Sequence, residues 1–223
     1  MRTNRDLSLA ASARRGQLVD CAVDALCAVG FAGTSIGEVA RRAGVSKGVV
    51  TYHFPTKDAL LKQVVTELYE RAGRQIAAAT SLDPSLTVAV EAGSPDAGAE
   101  AAGSSVSWRI LHGYITSNLA FVAQNRRHVR AAMEVLGNLR STDGSLEFAP
   151  KGPDPVTAHL EGLIRDGIQR GDFAAVDPSA MAVIIRSVID TVAARSAADP
   201  DFDQAALTET LLTIAARTLE VAR

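Results

Sequence analysis

Five residues with the chemistry to contact a nucleic acid lie within positions 46–52. They are Ser46, Lys47, Gly48, Thr51 and Tyr52. Hydroxyls and a cation at the start of one short helix are the groups that contact phosphates and base edges in the major groove of DNA. Glycine is costly inside a helix, so Gly48 indicates that another molecule approaches the backbone closely there. These residues favour DNA recognition.

Two short helices joined by a glycine turn are predicted to position these residues. Residues 35–38, Ser-Ile-Gly-Glu, have the sequence of a capping box and begin a helix over 36–43. Gly44 ends this helix with a backbone that can adopt positive φ, and a second helix follows over 47–53. Ala40 is small where the two helices meet. This arrangement is a helix-turn-helix.

Apolar residues recur at three- and four-residue spacing in the remaining segments, which predicts further helices. We predict these over residues 17–29, 57–79, 106–125, 127–137, 156–170, 178–198 and 203–221. Residues 82–105 are rich in Gly, Pro, Ala and Ser and are predicted to be a flexible connection. The predicted fold is all-α. Residues 1–60 form a three-helix DNA-binding domain, and residues 61–223 form a helical effector-binding and dimerisation domain.

Charge is distributed unevenly along the chain. Residues 1–60 hold eight Lys and Arg against five Asp and Glu, a net charge of +3, whereas residues 61–223 hold fifteen against twenty, a net charge of −5. A polyanion is therefore expected to bind the N-terminal part. The acidic remainder argues against a DNA-packaging protein, which needs a broad basic surface.

The runs at residues 34–40, 43–48 and 52–57 resemble the DNA-binding domain of the TetR family of transcriptional regulators, over roughly residues 14–62. The resemblance implies a homodimeric repressor that a small-molecule effector releases from a palindromic operator. It implies phosphate contacts from Thr34, Tyr52, His53 and Lys57, and base or phosphate contacts from Lys47, Gly48 and Thr51.

The helix predicted over 106–125 carries the candidate effector-binding residues. These are Trp108, Arg109, His112 and Ile115, with Met133, Leu136 and Arg140 on the next helix as the opposite wall. An apolar face with a few polar groups is typical of a ligand pocket, and Arg109 could meet an anionic end of a largely apolar molecule. Core packing with a satisfied histidine explains the same residues equally well.

Broad apolar stripes on the last two long helices predict a dimer. The interface residues predicted from them are Met181, Ile185, Val188, Val192, Leu207, Leu211 and Ile214. Two such helices from each subunit would form an isologous four-helix interface. TetR-like proteins also pair through their last helices.

Enzyme chemistry is not indicated by the sequence. No two histidines stand three or four residues apart, and the spacing of Cys21 and Cys27 fits neither a zinc site nor a disulfide within a helix. We therefore predict no catalytic residues, no metal and no cofactor. Without a long apolar run or a signal sequence, a cytoplasmic protein is expected. The alternatives are a DNA-binding protein without effector response, architectural or constitutive, and a helical enzyme.

Overall fold

The computed structural model describes residues 4–80, 105–149, 154–199 and 201–219. These residues form nine helices, which are α1 (Asn4–Gly33), α2 (Ile36–Ala43), α3 (Lys47–His53), α4 (Lys57–Thr80), α5 (Val106–Gln124), α6 (Arg126–Asn138), α7 (Pro155–Gln169), α8 (Pro178–Ala198) and α9 (Ala205–Leu219). Within the described ranges the β pairing is a single isolated bridge between Arg140 and Leu146. The all-α prediction is confirmed. The connection predicted over 82–105 lies outside the described residues except for its last position.

The predicted start of α1 is wrong by more than three turns. The helix begins at Asn4, not near residue 17. The intervening sequence is rich in alanine, leucine and arginine, which are strong helix formers, and it contains no proline. The predicted interruption at Gly30 is present as a kink with φ 67° and ψ −178°, after which three more residues continue the helix.

The chain divides into two compact units. The first contains the described residues up to Arg71 and the segment Asn125–Ala149. It therefore includes α6, which the sequence assigned to the second domain. The reason is apolar packing, because Ala131, Ala132 and Val135 of α6 are fully buried in the same core as the apolar residues of α1. Periodicity shows that α6 has an apolar face but does not show which helix that face covers.

Polar contacts also attach α6 to α1 in the first unit. Arg127 forms an ion pair with Asp24. The ring of His128 lies 3.4 Å from the Asp20 carboxylate. The Glu134 carboxylate accepts the backbone N–H of Phe31 at 3.2 Å, directly after the kink. These bonds connect α6 to the C-terminal half of α1.

The second unit contains the last part of α4 together with α5, α7, α8 and α9. Within it, α5 packs against α7, α8 and α9, and α7 packs against α8. Gly167 near the end of α7 allows the following loop to fold back against the helix, because a Cβ there would come within 2.2 Å of the Phe173 ring. The largest fully buried side chains of this unit are Leu111, Tyr114, Ile115, Leu119, Leu160, Ile164 and Ile185.

The apolar stripe of α8 and α9 is largely inside this unit. Met181, Ile185, Val192 and Leu211 are buried within the protomer. They have no area left for another chain, so their assignment to a dimer interface is corrected. Val188 and Leu207 are half-buried, whereas Ile214 is 49% exposed. The exposed apolar residues on α8 are Val183 and Ile184, each 52% exposed.

One described segment, Ala11–Gly33 in α1, is long and apolar enough to cross a membrane by those two criteria alone. Its Leu18, Val23 and Leu26 are buried in the core of the first unit. Burial in a protein core is a common origin of such a segment, because a core helix also needs many apolar residues.

Candidate nucleic-acid interface

The turn between α2 and α3 has the geometry predicted for it. Gly44 adopts φ 65° and ψ 32°, the left-handed conformation that favours glycine. The N–H of Val45 then donates to the carbonyl of Ala40 at 3.0 Å. Ala40 and Val50 are buried where the two helices meet. The helix-turn-helix is thus present, with the small residue and the glycine where the sequence placed them.

Only half of the predicted capping box forms. The Ser35 hydroxyl accepts the N–H of Glu38 at 3.1 Å and caps α2. The Glu38 carboxylate does not return to Ser35; it binds the guanidinium groups of Arg41 and Arg42, at 2.7 and 2.6 Å. These two hydrogen bonds lower the pKa of Glu38 to about 2. Both arginines are therefore engaged within α2, which leaves Lys47 as the cation at the start of α3.

The first turns of α3 present an exposed polar surface. The side chain of Ser46 caps the helix by accepting the N–H of Val49, at 3.4 Å. Lys47 and Thr51 are exposed. Tyr52 is 83% exposed, and its ring has an edge contact with the His53 ring at 5.1 Å between centroids. A tyrosine this accessible offers a hydroxyl and a flat apolar face to a partner.

Two glycines near this surface, Gly37 and Gly48, differ in how much space a side chain would have. A Cβ on Gly37 would lie 2.9 Å from Cε of Lys47, so the lysine stem crosses the backbone of α2 there. A Cβ on Gly48 would meet only the Ser46 hydroxyl oxygen, at an ordinary 3.6 Å. Gly48 also has no positive φ. Nothing described in this chain requires a glycine at position 48.

Thr34 is not at the surface. Its side chain is 1% exposed, and its hydroxyl donates to the carbonyl of Gly30 at 2.8 Å. Its backbone N–H donates to the same carbonyl at 3.1 Å. Thr34 therefore stabilises the turn from α1 to α2, and the phosphate contact that the resemblance implied for it is not supported by this geometry.

Lys57 is also occupied within the protein. Its Nζ donates to the carbonyl of Phe31 at 2.7 Å and lies 4.4 Å from the centroid of the Phe31 ring. Partial burial lowers the pKa of the ammonium, against an opposing effect of Asp58. A lysine in the first turn of a helix opposes the helix dipole. The sequence interpretation explained this position by a phosphate, whereas in the structure the Phe31 carbonyl compensates.

Arg15 positions the other end of α3, and the sequence analysis missed it. Its guanidinium donates to the carbonyl of His53 at 3.0 Å and to Oε1 of Gln63 at 2.8 Å. It also lies 4.3 Å from the centroid of the Phe54 ring. A cation at a helix C-terminus satisfies a free carbonyl and complements the dipole. No local pattern reveals this role, because His53 is 38 residues away in sequence.

We expect Lys57→Met to lower the free energy of unfolding of the first unit by about 1–2 kcal/mol. The substitution leaves the Phe31 carbonyl without its donor and removes the contact with the Phe31 ring. Hydrogen exchange of the amides in α1–α4, measured without DNA, reports this loss directly. Arg74→Met is the control, since Arg74 is exposed on α4 in the second unit. If hydrogen exchange is unchanged in Lys57→Met, the ammonium does not stabilise the first unit, and a phosphate contact is again the explanation for Lys57.

The residues predicted to bind an effector fall into both units. Trp108 and His112 are neighbours on α5, with 6.0 Å between ring centroids, and His112 is exposed. Ile115 is fully buried in the second unit. Arg109 and Met133 are half-buried, Leu136 packs against the core of the first unit, and the Arg140 guanidinium donates to the carbonyl of Gly144. The predicted opposite wall thus lies in the first unit.

Within the described residues, no group of three or more His, Cys, Asp or Glu side chains is arranged to hold a metal ion. Cys21 and Cys27 are free thiols on α1. Burial, as the largest effect, raises the pKa of both. A raised pKa disfavours the reactive thiolate.

Comparison with known proteins identifies the family of the N-terminal domain. Residues 18–64 match the model of the bacterial regulatory proteins of the tetR family. The N-terminal domain belongs to the TetR family. Among curated relatives, the HTH-type transcriptional regulators BetI of Klebsiella pneumoniae (strain 342) and of Paraburkholderia xenovorans (strain LB400) are 40% identical over 55 residues and 36% identical over 88 residues. These matches cover 25% and 38% of this chain and 28% and 45% of the relatives. The chain therefore spans less than half the length of either relative.

Solved structures extend the likeness from the N-terminal domain to the whole fold. A bacterial regulatory protein in the tetR family from Rhodococcus RHA1 has a TM-score of 0.65 at 21% identity, and the match covers 94% of this chain and 98% of that one. The transcriptional regulator FadR from Bacillus subtilis, in complex with stearoyl-CoA, has a TM-score of 0.61 at 18% identity, with 92% and 98% covered. At these identities the likeness establishes the fold.

Proposed function

We propose that this protein is a cytoplasmic transcriptional repressor that binds a palindromic DNA operator as a homodimer and releases it when a small molecule binds the second unit. The observation that carries the DNA-binding part is the exposed surface at the start of α3. Lys47, Thr51 and Tyr52 are exposed there beside a glycine that this chain does not need for its own packing. The TetR-family match over residues 18–64 supports the same conclusion.

Each exposed group has a separate role in this proposal. Lys47 donates to a phosphate or a base edge, and Thr51 and Tyr52 donate hydroxyls to the phosphate backbone or to bases. Gly48 lets the DNA backbone approach α3 closely. Arg15 and Lys57 are positioning residues, because their bonds to the carbonyls of His53 and Phe31 fix the helices that carry the surface.

A second copy of the chain is proposed as the partner of α8 and α9. Val183, Ile184 and Ile214 are large apolar residues, each about half exposed within the protomer. Burying them against the same surface of another copy would remove them from water and make an isologous contact. Binding to a palindrome would require the α3 helices of the two copies to lie about 34–36 Å apart, one turn of DNA.

Effector response is proposed for the second unit, and α4 provides its connection to α3. The helix begins at Lys57, and its last turn lies against α5, where a Cβ on Gly113 would come within 3.0 Å of the Ala79 carbonyl oxygen. A ligand that moves α5 would therefore displace the end of α4. The complex of Bacillus subtilis FadR with stearoyl-CoA supports a largely apolar effector with an anionic end. Coupling between such sites is typically about 1–3 kcal/mol.

Selection of binding sites from a random double-stranded library tests the DNA-binding proposal. We expect one palindrome, bound with an affinity that falls steeply as salt concentration rises. Lys47→Ala should weaken binding about tenfold or more, since a good contact contributes about 1–3 kcal/mol. Arg74→Ala removes the same charge from an exposed position of the second unit and should bind as the unmodified protein does. Equal binding to all DNA sequences at moderate salt would refute the proposal that this protein is an operator-binding repressor.

A further inference from the structure

The interior of the second unit contains a small polar cluster that its fold does not require. Tyr114 and Asn118 stand one turn apart on α5, and both are buried. The side chain of Arg186 on α8 is 19% exposed and reaches Asn118, with 3.4 Å between an Nη and Oδ1. Leu111, Ile115, Ile185 and Ile189 are buried aliphatic residues of the same interior, which also contains the buried hydroxyls of Ser107, Ser117 and Ser196. The ring of His159 lies 6.2 Å from that of Tyr114, between centroids.

Tyr114 has a buried hydroxyl whose proton has no acceptor in the part of the chain that the structure describes. The side chain is 1% exposed, and among the described residues no acceptor lies within hydrogen-bond distance of its O–H. Burial raises the pKa of this phenol, while the positive charge of Arg186 and a hydrogen bond from its guanidinium to Oη oppose the rise. The hydroxyl is therefore protonated and available as a donor. A buried donor without an acceptor is unfavourable, and phenylalanine would fill the same space without that cost.

Arg186 offers a positive charge to the same interior. One Nη forms an ion pair with Asp190, one turn along α8, whose side chain is 55% exposed. The carboxylate that balances the charge is thus at the more exposed end of the pair. A guanidinium has five N–H donors in a fixed planar fork, and the bonds to Asn118, Asp190 and Tyr114 leave others for a ligand.

We propose that Tyr114 and Arg186 together bind the carboxylate of a small, largely apolar effector. One carboxylate oxygen accepts the phenolic O–H and another accepts N–H groups of Arg186, and the aliphatic interior contacts the rest of the molecule. A carboxylate fits because one site combines a neutral donor with a partly desolvated cation, and charge-assisted bonds of this kind are strong and directional. This inference rests on the effector response proposed above, and it moves the anionic contact from Arg109 to Arg186.

The site lies next to the contact through which α5 meets α4. Gly113, which precedes Tyr114, approaches Ala79 of α4 closely. One turn further along α5, the carbonyl of Ser117 accepts a hydrogen bond of 3.5 Å from Gln75 Nε2 of α4, and Ser117 precedes Asn118. A ligand drawn toward Tyr114 and Asn118 therefore acts on the residues of α5 that touch the last turns of α4. Binding there would be coupled to α4, which makes release of DNA the expected response.

Hexanoate, decanoate and benzoate, each paired with the alcohol of the same carbon skeleton, are the probes for this site. Binding is measured by the emission of Trp108, which is the only tryptophan and lies six residues from Tyr114 on the same helix. We expect at least one carboxylate to change this emission and raise the melting temperature, and its alcohol to bind about tenfold more weakly or less. Equal binding of acids and alcohols, or no binding of either, would overturn the site.

Tyr114→Phe separates a ligand role from a structural one. Without ligand, this variant should be as stable as the unmodified protein or more so, because the unpartnered donor is gone. Its affinity for the carboxylate should fall about tenfold. Arg186→Met should lose binding further, whereas Arg109→Met, the same change of charge on α5, should retain it. A less stable Tyr114→Phe with unchanged affinity would mean that the hydroxyl only holds a buried water.

Operator binding distinguishes this inference from the proposed function. In one outcome, the unmodified protein binds its operator and releases it with a carboxylate, and Tyr114→Phe and Arg186→Met bind the carboxylate with unchanged affinity. The proposed effector-responsive repressor is then supported, and this site is wrong. If Tyr114→Phe and Arg186→Met lose carboxylate binding while the unmodified protein shows no preferred DNA sequence, the site stands and the repressor is wrong.

Discussion

Ile184→Glu and Ile185→Glu are expected to have opposite consequences although the residues are neighbours on α8. Ile185 is fully buried in the second unit, whereas Ile184 is 52% exposed. A glutamate at position 185 must either ionise in an apolar core or remain protonated without partners, which costs about 4 kcal/mol or more. We therefore expect Ile185→Glu to unfold the second unit. Ile184→Glu leaves this core intact and should instead dissociate the dimer.

Circular dichroism and sedimentation velocity together distinguish the two outcomes. Ile185→Glu should lose helical signal and aggregate, whereas Ile184→Glu should keep its helical signal and sediment as a monomer with weakened operator binding. Ala123→Glu places the same charge at an exposed position of α5 and should remain a dimer. If Ile184→Glu sediments as a dimer like the unmodified protein, the exposed apolar residues of α8 are not the subunit interface.

This pair of residues also shows what periodicity alone leaves undetermined. The sequence of α8 has apolar residues on more than half of its circumference, so a stripe can be drawn through either face. The predicted interface followed Ile185 and Val192, which the structure buries within one protomer. Choosing between faces requires knowing where α5 and α7 pack, and that packing is a long-range property of the chain.

Local chemistry made the helix-turn-helix predictable. The Ser35 and Ser46 caps, the positive φ of Gly44 and the small Ala40 each depend on residues within a few positions of one another. Such features can be read directly from the sequence. The predicted bounds of α2 and α3 agree with the structure for the same reason.

Roles that depend on distant partners could not be predicted in this way. Arg15 and Lys57 are bound to carbonyls 38 and 26 residues away, and α6 joins a core formed by residues more than 60 positions earlier. The resemblance assigned Lys57 and Thr34 to DNA because those positions are recognisable in sequence, whereas their bonds to Phe31 and Gly30 are not. Residue type and local position identify a candidate DNA contact. The hydrogen bonds that the side chain already makes within the protein decide whether it is free to bind DNA.

Gly48→Ala is expected to weaken operator binding while leaving the protein as stable as before, or more stable. Alanine is favoured over glycine in a helix by up to about 1 kcal/mol, and its Cβ would meet only the Ser46 hydroxyl oxygen at 3.6 Å. The free protein therefore has no reason to lose stability. In the complex the same methyl group would stand between α3 and the DNA, and we expect at least a tenfold loss of affinity, about 1.4 kcal/mol.

The opposite signs of these two effects make Gly48→Ala a stringent test of the interface. Most substitutions that weaken binding through misfolding lower both stability and affinity, whereas here one should be maintained or rise as the other falls. Gly137→Ala is the matched control, because Gly137 is an exposed helical glycine of α6 in the same unit with nothing within 4 Å of a Cβ. It should show the same gain in melting temperature and bind the operator normally. If Gly48→Ala binds as tightly as Gly137→Ala, the start of α3 does not lie against DNA, and the interface must be sought on another face of the first unit.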